Sequence, residues 1–94
     1  MNAPVEFVTV AEAASRLGIK KAQTLTGQIK SDRQKIAAEG KHPLYVGRSE
    51  VFFPAGKGRH LAPRALFDLM VSTAWSRPAF NAHIAEAVAA AKAA

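Results

Sequence analysis

Cysteine is absent and aromatic residues make up only 7% of the chain. Without thiols there is neither a disulfide framework nor a thiolate zinc site, so stability rests on packing alone, and a reducing, intracellular setting fits. Long apolar runs are missing too: none approaches the roughly 20 residues that a membrane-spanning helix needs. The start, MNAPVEF, lacks the basic residues and apolar run of a secretory signal. Carboxylates are scarce, seven Asp and Glu against thirteen Lys and Arg, for a formal net charge of +6. That balance favours a polyanionic partner through long-range attraction. The 94 residues hold one core, because two would each fall below the size at which burial offsets chain entropy. A single cytoplasmic, nucleoid-associated domain with no membrane partner is expected.

The motifs of catalysis are also missing. His42, His60 and His83 are far apart in sequence, with no i, i+4 pair. No metal site is therefore expected, and each imidazole reads as a surface or partly buried group. No G-x-S-x-G elbow is present. GRSEVFFPAGKG contains glycines and a lysine, but Gly58 follows Lys57 where a nucleotide P-loop needs Ser or Thr. No catalytic residue and no cofactor is expected.

What is present is a concentrated basic centre. From Arg16 to Arg64 there are eleven Lys and Arg against Asp32, Glu39 and Glu50, a local excess of eight positive charges. Glu6 and Glu12 precede it, and after it Asp68 and Glu86 cancel Arg77 and Lys92. One contiguous region thus carries the charge, which favours a basic surface over scattered, merely solvated cations.

Helical signals open the chain. Thr9 and Glu12 form a capping box, in which the Thr9 hydroxyl accepts from the Glu12 N–H and the Glu12 side chain returns to the Thr9 N–H. Val10, Ala13, Ala14 and Leu17 follow at helical spacing and Gly18 supplies the stop, predicting a first helix from Val10 to Leu17. Ile19 can fold back over its end. Ala22, Leu25, Ile29 and Ile36 share one side of a second helix, with Lys20, Gln23, Thr24, Gly27, Ser31 and Gln34 opposite. Gly27 on that polar side is either tolerated by chance or lets a bulky partner approach the backbone. SDRQ, Ser31 to Gln34, is a possible second capping box, so the segment to Ala38 is either one helix or two with a joint near Ser31.

Gly40 ends the helical region. In HPLYVGRSEVFFP, the runs Leu44 to Val46 and Val51 to Phe53 predict a hairpin around Gly47 to Glu50. The loop PAGKGRH that follows combines glycines, whose N–H groups can approach a phosphate, with Lys57 and Arg59. Pro63 suits the first turn of a third helix, with Leu66, Phe67, Met70, Val71, Ala74 and Trp75 on its apolar side until Ser76 and Pro78 interrupt. A last helix carries Phe80, Ile84, Ala87, Val88 and Ala91 on one stripe. The expected fold is mostly α with a small β-hairpin.

The order of a helix ending in RLGI, a helix containing TL, the segment HPLYVGRSEVFFP and a helix starting APRALFDLM resembles the winged helix-turn-helix domains of the excisionase, AlpA and MerR type. Ala13, Ala14, Leu17, Gly18, Ile19, Thr24 and Leu25 carry the likeness, which runs from about Phe7 to Met70. The spacing departs by one residue between Gly18 and TL, and by the segment GQIKSDRQKIAAEGK before the hairpin. The small-terminase DNA-binding domain of phages shares the same order of elements.

The resemblance implies a winged helix-turn-helix over residues 9–75 after an N-terminal arm, 1–8, with an extra C-terminal helix over 76–94. In such domains the second helix enters the major groove and the wing lies on the backbone or minor groove. Carried onto this chain, Lys20, Lys21, Gln23, Thr24, Gln28 and Lys30 would contact bases, and Lys35, Lys41, Arg48, Lys57 and Arg59 would hold phosphates. The implied function is sequence-specific binding of double-stranded DNA by a small bacterial, phage or plasmid regulator or excisionase-like factor. A homodimer is expected, with the C-terminal stripe either pairing with its copy or folding back onto Leu66 and Met70. The alternative is a small adaptor or inhibitor that uses part of the cluster Tyr45, Phe52, Phe53, Phe67, Trp75 and Phe80 to bind a protein; otherwise all six are core.

Overall fold

The computed structural model describes residues 6–93. It is mostly helical with a small antiparallel sheet. The expected arm, residues 1–8, lies outside the described residues as far as Val5, and Phe7–Thr9 is strand β1. Helix α1 (Val10–Arg16) follows at once, and the Thr9 hydroxyl accepts from the Glu12 N–H at 3.2 Å. Only half of the expected capping box forms. The Glu12 carboxylate turns instead to Arg64, whose Nη1 and Nη2 donate at 2.6 and 3.3 Å. The glycine stop is complete: Gly18 has φ 74°, and the N–H groups of Gly18 and Ile19 reach the carbonyls of Ser15 and Ala14.

Helix α2 (Ala22–Glu39) is one unbroken helix of 18 residues, about 27 Å long. SDRQ does not start a new helix: Ser31 and Gln34 lie exposed within α2, and the Asp32 carboxylate reaches across the chain, where it accepts from the Arg48 backbone N–H at 2.8 Å. The segment that departs from winged-helix spacing is therefore the C-terminal extension of α2, closed by Gly40 at φ 84°.

The chain then runs back beside α2, and the hairpin is not where the apolar runs placed it. The Val46 N–H donates to the Trp75 carbonyl at 2.9 Å, and Tyr45 bridges Ser76, so this run pairs with the entry to the last helix. Gly47 to Glu50 winds into a short 3-10 turn, with the Gly47 N–H donating to Glu50 Oε2 at 2.7 Å. The hairpin lies one segment later, between β2 (Phe53–Pro54) and β3 (His60–Pro63), with PAGKGRH forming its turn. Strand β3 is central, paired with β1 on one side and β2 on the other.

Helix α3 (Arg64–Ser72) begins directly after β3, with Pro63 at its N-cap, and ends earlier than its apolar stripe predicted. Ala74 and Trp75 take left-handed φ values of 53° and 59°, an uncommon state for residues with side chains. The turn is held by the Trp75 N–H on the Met70 carbonyl at 2.8 Å and by the indole, which packs edge-on to Phe67. Helix α4 (Arg77–Ala93) follows.

The core draws Ala13 and Ala14 from α1, Leu25 and Ile29 from α2, Phe67 and Met70 from α3, Val8 and Ala62 from the sheet, and Val46, Val51 and Phe52 from the intervening segment. Burial of each large side chain contributes about 1.5–3 kcal/mol. Of the six aromatics in the sequence cluster, Phe52 and Phe67 are buried and Trp75 and Phe80 half-buried, while Tyr45 and Phe53 are exposed. Phe53 meets Phe7 edge-on at 5.8 Å across the outer face of the sheet.

Candidate nucleic-acid interface

Packing of Leu25 and Ile29 into the core fixes which side of α2 faces outward. Gln23, Thr24, Gly27, Lys30, Ser31 and Gln34 are all exposed. A Cβ at Gly27 would meet nothing within 4 Å, so the helix surface is open there. Lys20 and Lys21 are exposed just ahead of α2, with Lys21 at its N-cap. Gln28 departs from the expected base-contacting group: it is half-buried and its Oε1 is enclosed without a partner. One residue along the helix from the exposed stripe, it turns inward.

The hairpin turn carries the other expected contacts. Lys57 and Arg59 are exposed, and Gly56 and Gly58 adopt φ 98° and 71°, which residues with side chains rarely reach. The turn closes through the Ala55 N–H on the Arg59 carbonyl at 2.9 Å and the Arg59 N–H on the Gly56 carbonyl at 2.7 Å. At its base, buried His60 places Nε2 3.4 Å from Arg33 Nη2, so the hairpin touches α2 through a basic side chain. Burial lowers the affinity of His60 for a proton, and the nearby charges of Arg33 and Lys30 lower it further. Neither Arg33 nor His60 stood out in the sequence, since only the fold brings them together.

The basic centre divides into two populations. Arg16 pairs with Asp68, Arg48 with Asp32, Arg64 with Glu6 and Glu12, and Lys41 with Glu50 at 3.7 Å. In contrast Lys20, Lys21, Lys30, Arg33, Lys35, Lys57 and Arg59 enter no ion pair among the described residues. All of these lie on or just before α2, or in the hairpin turn.

Arg48 was expected to hold a phosphate and is committed elsewhere. Its backbone N–H and Nη1 both face Asp32, its Nε is buried, and its guanidinium lies 5.4 Å from the Trp75 ring centroid. Because the predicted hairpin is a 3-10 turn, Arg48 sits in the body of the domain. Lys41 keeps most of its side chain in solvent, 66%, and Lys35 is exposed. Both line a cleft of about 460 Å³ between the second half of α2 and the returning segment, floored by Ile36, Val46 and Gly47.

Beyond the basic centre, Arg77 is buried at the start of α4. It donates to Glu50 at 2.5 and 2.6 Å and to the carbonyls of His42 and Tyr45 at 3.0 Å. Burial alone would push the Glu50 carboxyl up, but the Arg77 hydrogen bonds, the Gly47 N–H and Lys41 outweigh it and hold it below the ordinary value. His42 is a turn former, its Nδ1 accepting from the N–H groups of Leu44 and Tyr45. Among the described residues no group of His, Asp and Glu side chains is arranged to hold a metal ion, and no helix is long and apolar enough to cross a membrane. No family model, no curated protein and no solved structure matches this chain.

Proposed function

We propose that this chain is a sequence-specific double-stranded DNA-binding protein of winged helix-turn-helix type, acting as a small bacterial, phage or plasmid regulator or excisionase-like factor in the cytoplasm. The observation that carries this reading is the sorting of cations: those without carboxylate partners cluster on α2 and the hairpin turn, which touch through Arg33 and His60. A major groove about 12 Å wide admits one helix. Gln23 and Thr24, near the start of α2, then supply hydrogen bonds to base edges, with Lys20, Lys21 and Lys30 beside them. Lys57 and Arg59 act as the wing, and Lys35 and Lys41 hold phosphates further along. The hairpin that plays the wing is β2–β3, not the one expected from the apolar runs.

A mobility shift with random duplex DNA at low and moderate salt tests the class. Binding that weakens as salt rises is the expected result; no shift at either salt overturns it. Selection of bound duplexes from a random pool then tests specificity and yields the target.

A homodimer joined by α4 is part of the same proposal, because Ile84 and Val88 are 44% and 47% exposed on one side of that helix. The second reading, a protein-binding adaptor, draws on the exposed Phe7–Phe53 pair. Retention of a protein partner by a chain that fails to shift DNA would favour it.

A further inference from the structure

The junction between α2 and the hairpin holds an arrangement that neither fold nor charge alone requires. His60 is 6% exposed, and the ionisable side chains that face it are cationic. From α2 these are Lys30 and Arg33, one helical turn apart; from the turn it is the Gly58 backbone, which favours the charged ring; and Pro54, opposite on β2, carries no charge. A guanidinium only donates hydrogen bonds, so His60 Nε2 must accept from Arg33 and the ring proton sits on Nδ1. That Nδ1 is enclosed without a fully formed hydrogen bond. Two exposed cations thus flank a buried neutral imidazole, with no carboxylate among the described residues to balance them.

We propose that Lys30 and Arg33 form a seat for one backbone phosphate, and that filling it is coupled to uptake of a proton by His60. The proposal rests on the DNA-binding reading and adds a site and a pH response to it. In the free protein, a proton on Nε2 would point at the Arg33 guanidinium and is disfavoured. A seated phosphate neutralises the two cations, draws Arg33 outward, and gives a protonated Nε2–H an acceptor oxygen or at least a compensating charge. His60 is then a positioning residue: it holds Arg33 against its ring when neutral and reinforces the anion when charged. The sign follows from linkage. The bound state binds more protons than the free state, so affinity rises as the pH falls through the window between the free and bound titration midpoints.

The test is an NMR titration of the three histidine rings, assigned through the backbone, with and without a random duplex at low salt. In the free protein the His60 midpoint is expected below 6.5, and in the complex it is expected to move upward. The Arg33→Gln variant, altered at an exposed position, is expected to fold normally, bind the duplex several-fold more weakly and lose the His60 shift. A His60 midpoint that stays put in a formed complex, or an Arg33→Gln variant with unchanged affinity, overturns the phosphate seat and leaves DNA binding standing. A wild-type chain that binds no duplex overturns both.

Discussion

Arg77 and Arg33 are the same residue type doing opposite things. Arg77 is buried, and its guanidinium is shared between both Glu50 oxygens and two backbone carbonyls. Arg33 lies exposed with no carboxylate, set against a buried histidine. The first ties the start of α4 to the segment that returns beside α2. The second sits on a surface whose neighbours are also positive. Basic charge in this chain therefore falls into two groups, and net charge adds together residues that should be separated: arginines that hold the fold and cations that meet no carboxylate among the described residues.

The largest expected effect lies on the fold-holding side. Arg77→Ala would strand the buried Glu50 carboxylate, and breaking a buried pair costs about 3–5 kcal/mol. Urea denaturation should show that loss, and Glu50→Ala should show one of similar size. The pair also sets an acid limit. Because the folded Glu50 holds its proton more weakly than the unfolded carboxyl, its contribution is fully present above the ordinary value of 4.5 and is lost as the pH falls through the folded value. A denaturation midpoint that falls with acid in the wild type and less so in Glu50→Gln would bear this out.

On the other side, reversing Lys57 and Arg59 together to Glu should leave the urea midpoint within about 0.5 kcal/mol, as for other surface changes. It should weaken binding to every duplex by about a hundredfold, equivalent to about 2.7 kcal/mol. The slope of log affinity against log salt should become shallower by about 2, as expected for two lost phosphate contacts. An unchanged slope would remove the hairpin turn from the interface. Arg48→Met sharpens the same contrast from the opposite direction: the backbone N–H bond to Asp32 is kept, and a stability loss of about 1 kcal/mol comes from the side-chain ion pair with Asp32 and the Trp75 face, with the salt slope unchanged.

The contrast was only half legible in the sequence. Thr9, Gly18 and Gly40 marked the helix boundaries because capping and left-handed stops are local chemistry. The apolar side of α2 was equally plain, since Leu25 and Ile29 repeat at helical spacing. The hairpin was misplaced because Leu44 to Val46 satisfies its backbone through Trp75, Ser76 and Arg77, and an apolar run does not say which partner it will find. The stop of α3 was hidden for a related reason: Ala74 and Trp75 have no local reason to turn left-handed, and tertiary packing of the indole supplies one. The sorting of cations was invisible, because Arg64 meets Glu12 and Arg77 meets Glu50 across long stretches of chain. The two-glycine turn of PAGKGRH between FF and HLAP was a readable hairpin signal that the longer apolar runs outweighed.

The residues proposed to contact bases should give a smaller effect, confined to discrimination. Gln23→Ala with Thr24→Ala removes side chains that touch nothing assigned in the fold, so stability should change little. If these residues read base edges, binding-site selection should show relaxed preference at one or two positions, each worth about 1–3 kcal/mol of discrimination, with affinity for random duplex nearly kept. Identical selected sequences from variant and wild type would place the reading elsewhere on α2.

The smallest effect on folding belongs to the end of α4. Phe80 and His83 are half-buried, but from Ile84 onward every described residue is exposed. The helix is thus tied down at its start by Arg77 and not beyond its second turn. A chain ending at His83 should keep the Arg77–Glu50 lock and unfold within about 0.5 kcal/mol of full length. The fold-back onto Leu66 and Met70 that the stripe also allowed predicts instead a clear loss of stability. Sedimentation of the same shortened chain separates the remaining possibilities. If Ile84 and Val88 join two copies, full-length protein sediments as a dimer and the shortened one as a monomer. If both sediment alike, α4 is not the dimer element, and any pairing on DNA must come from another surface.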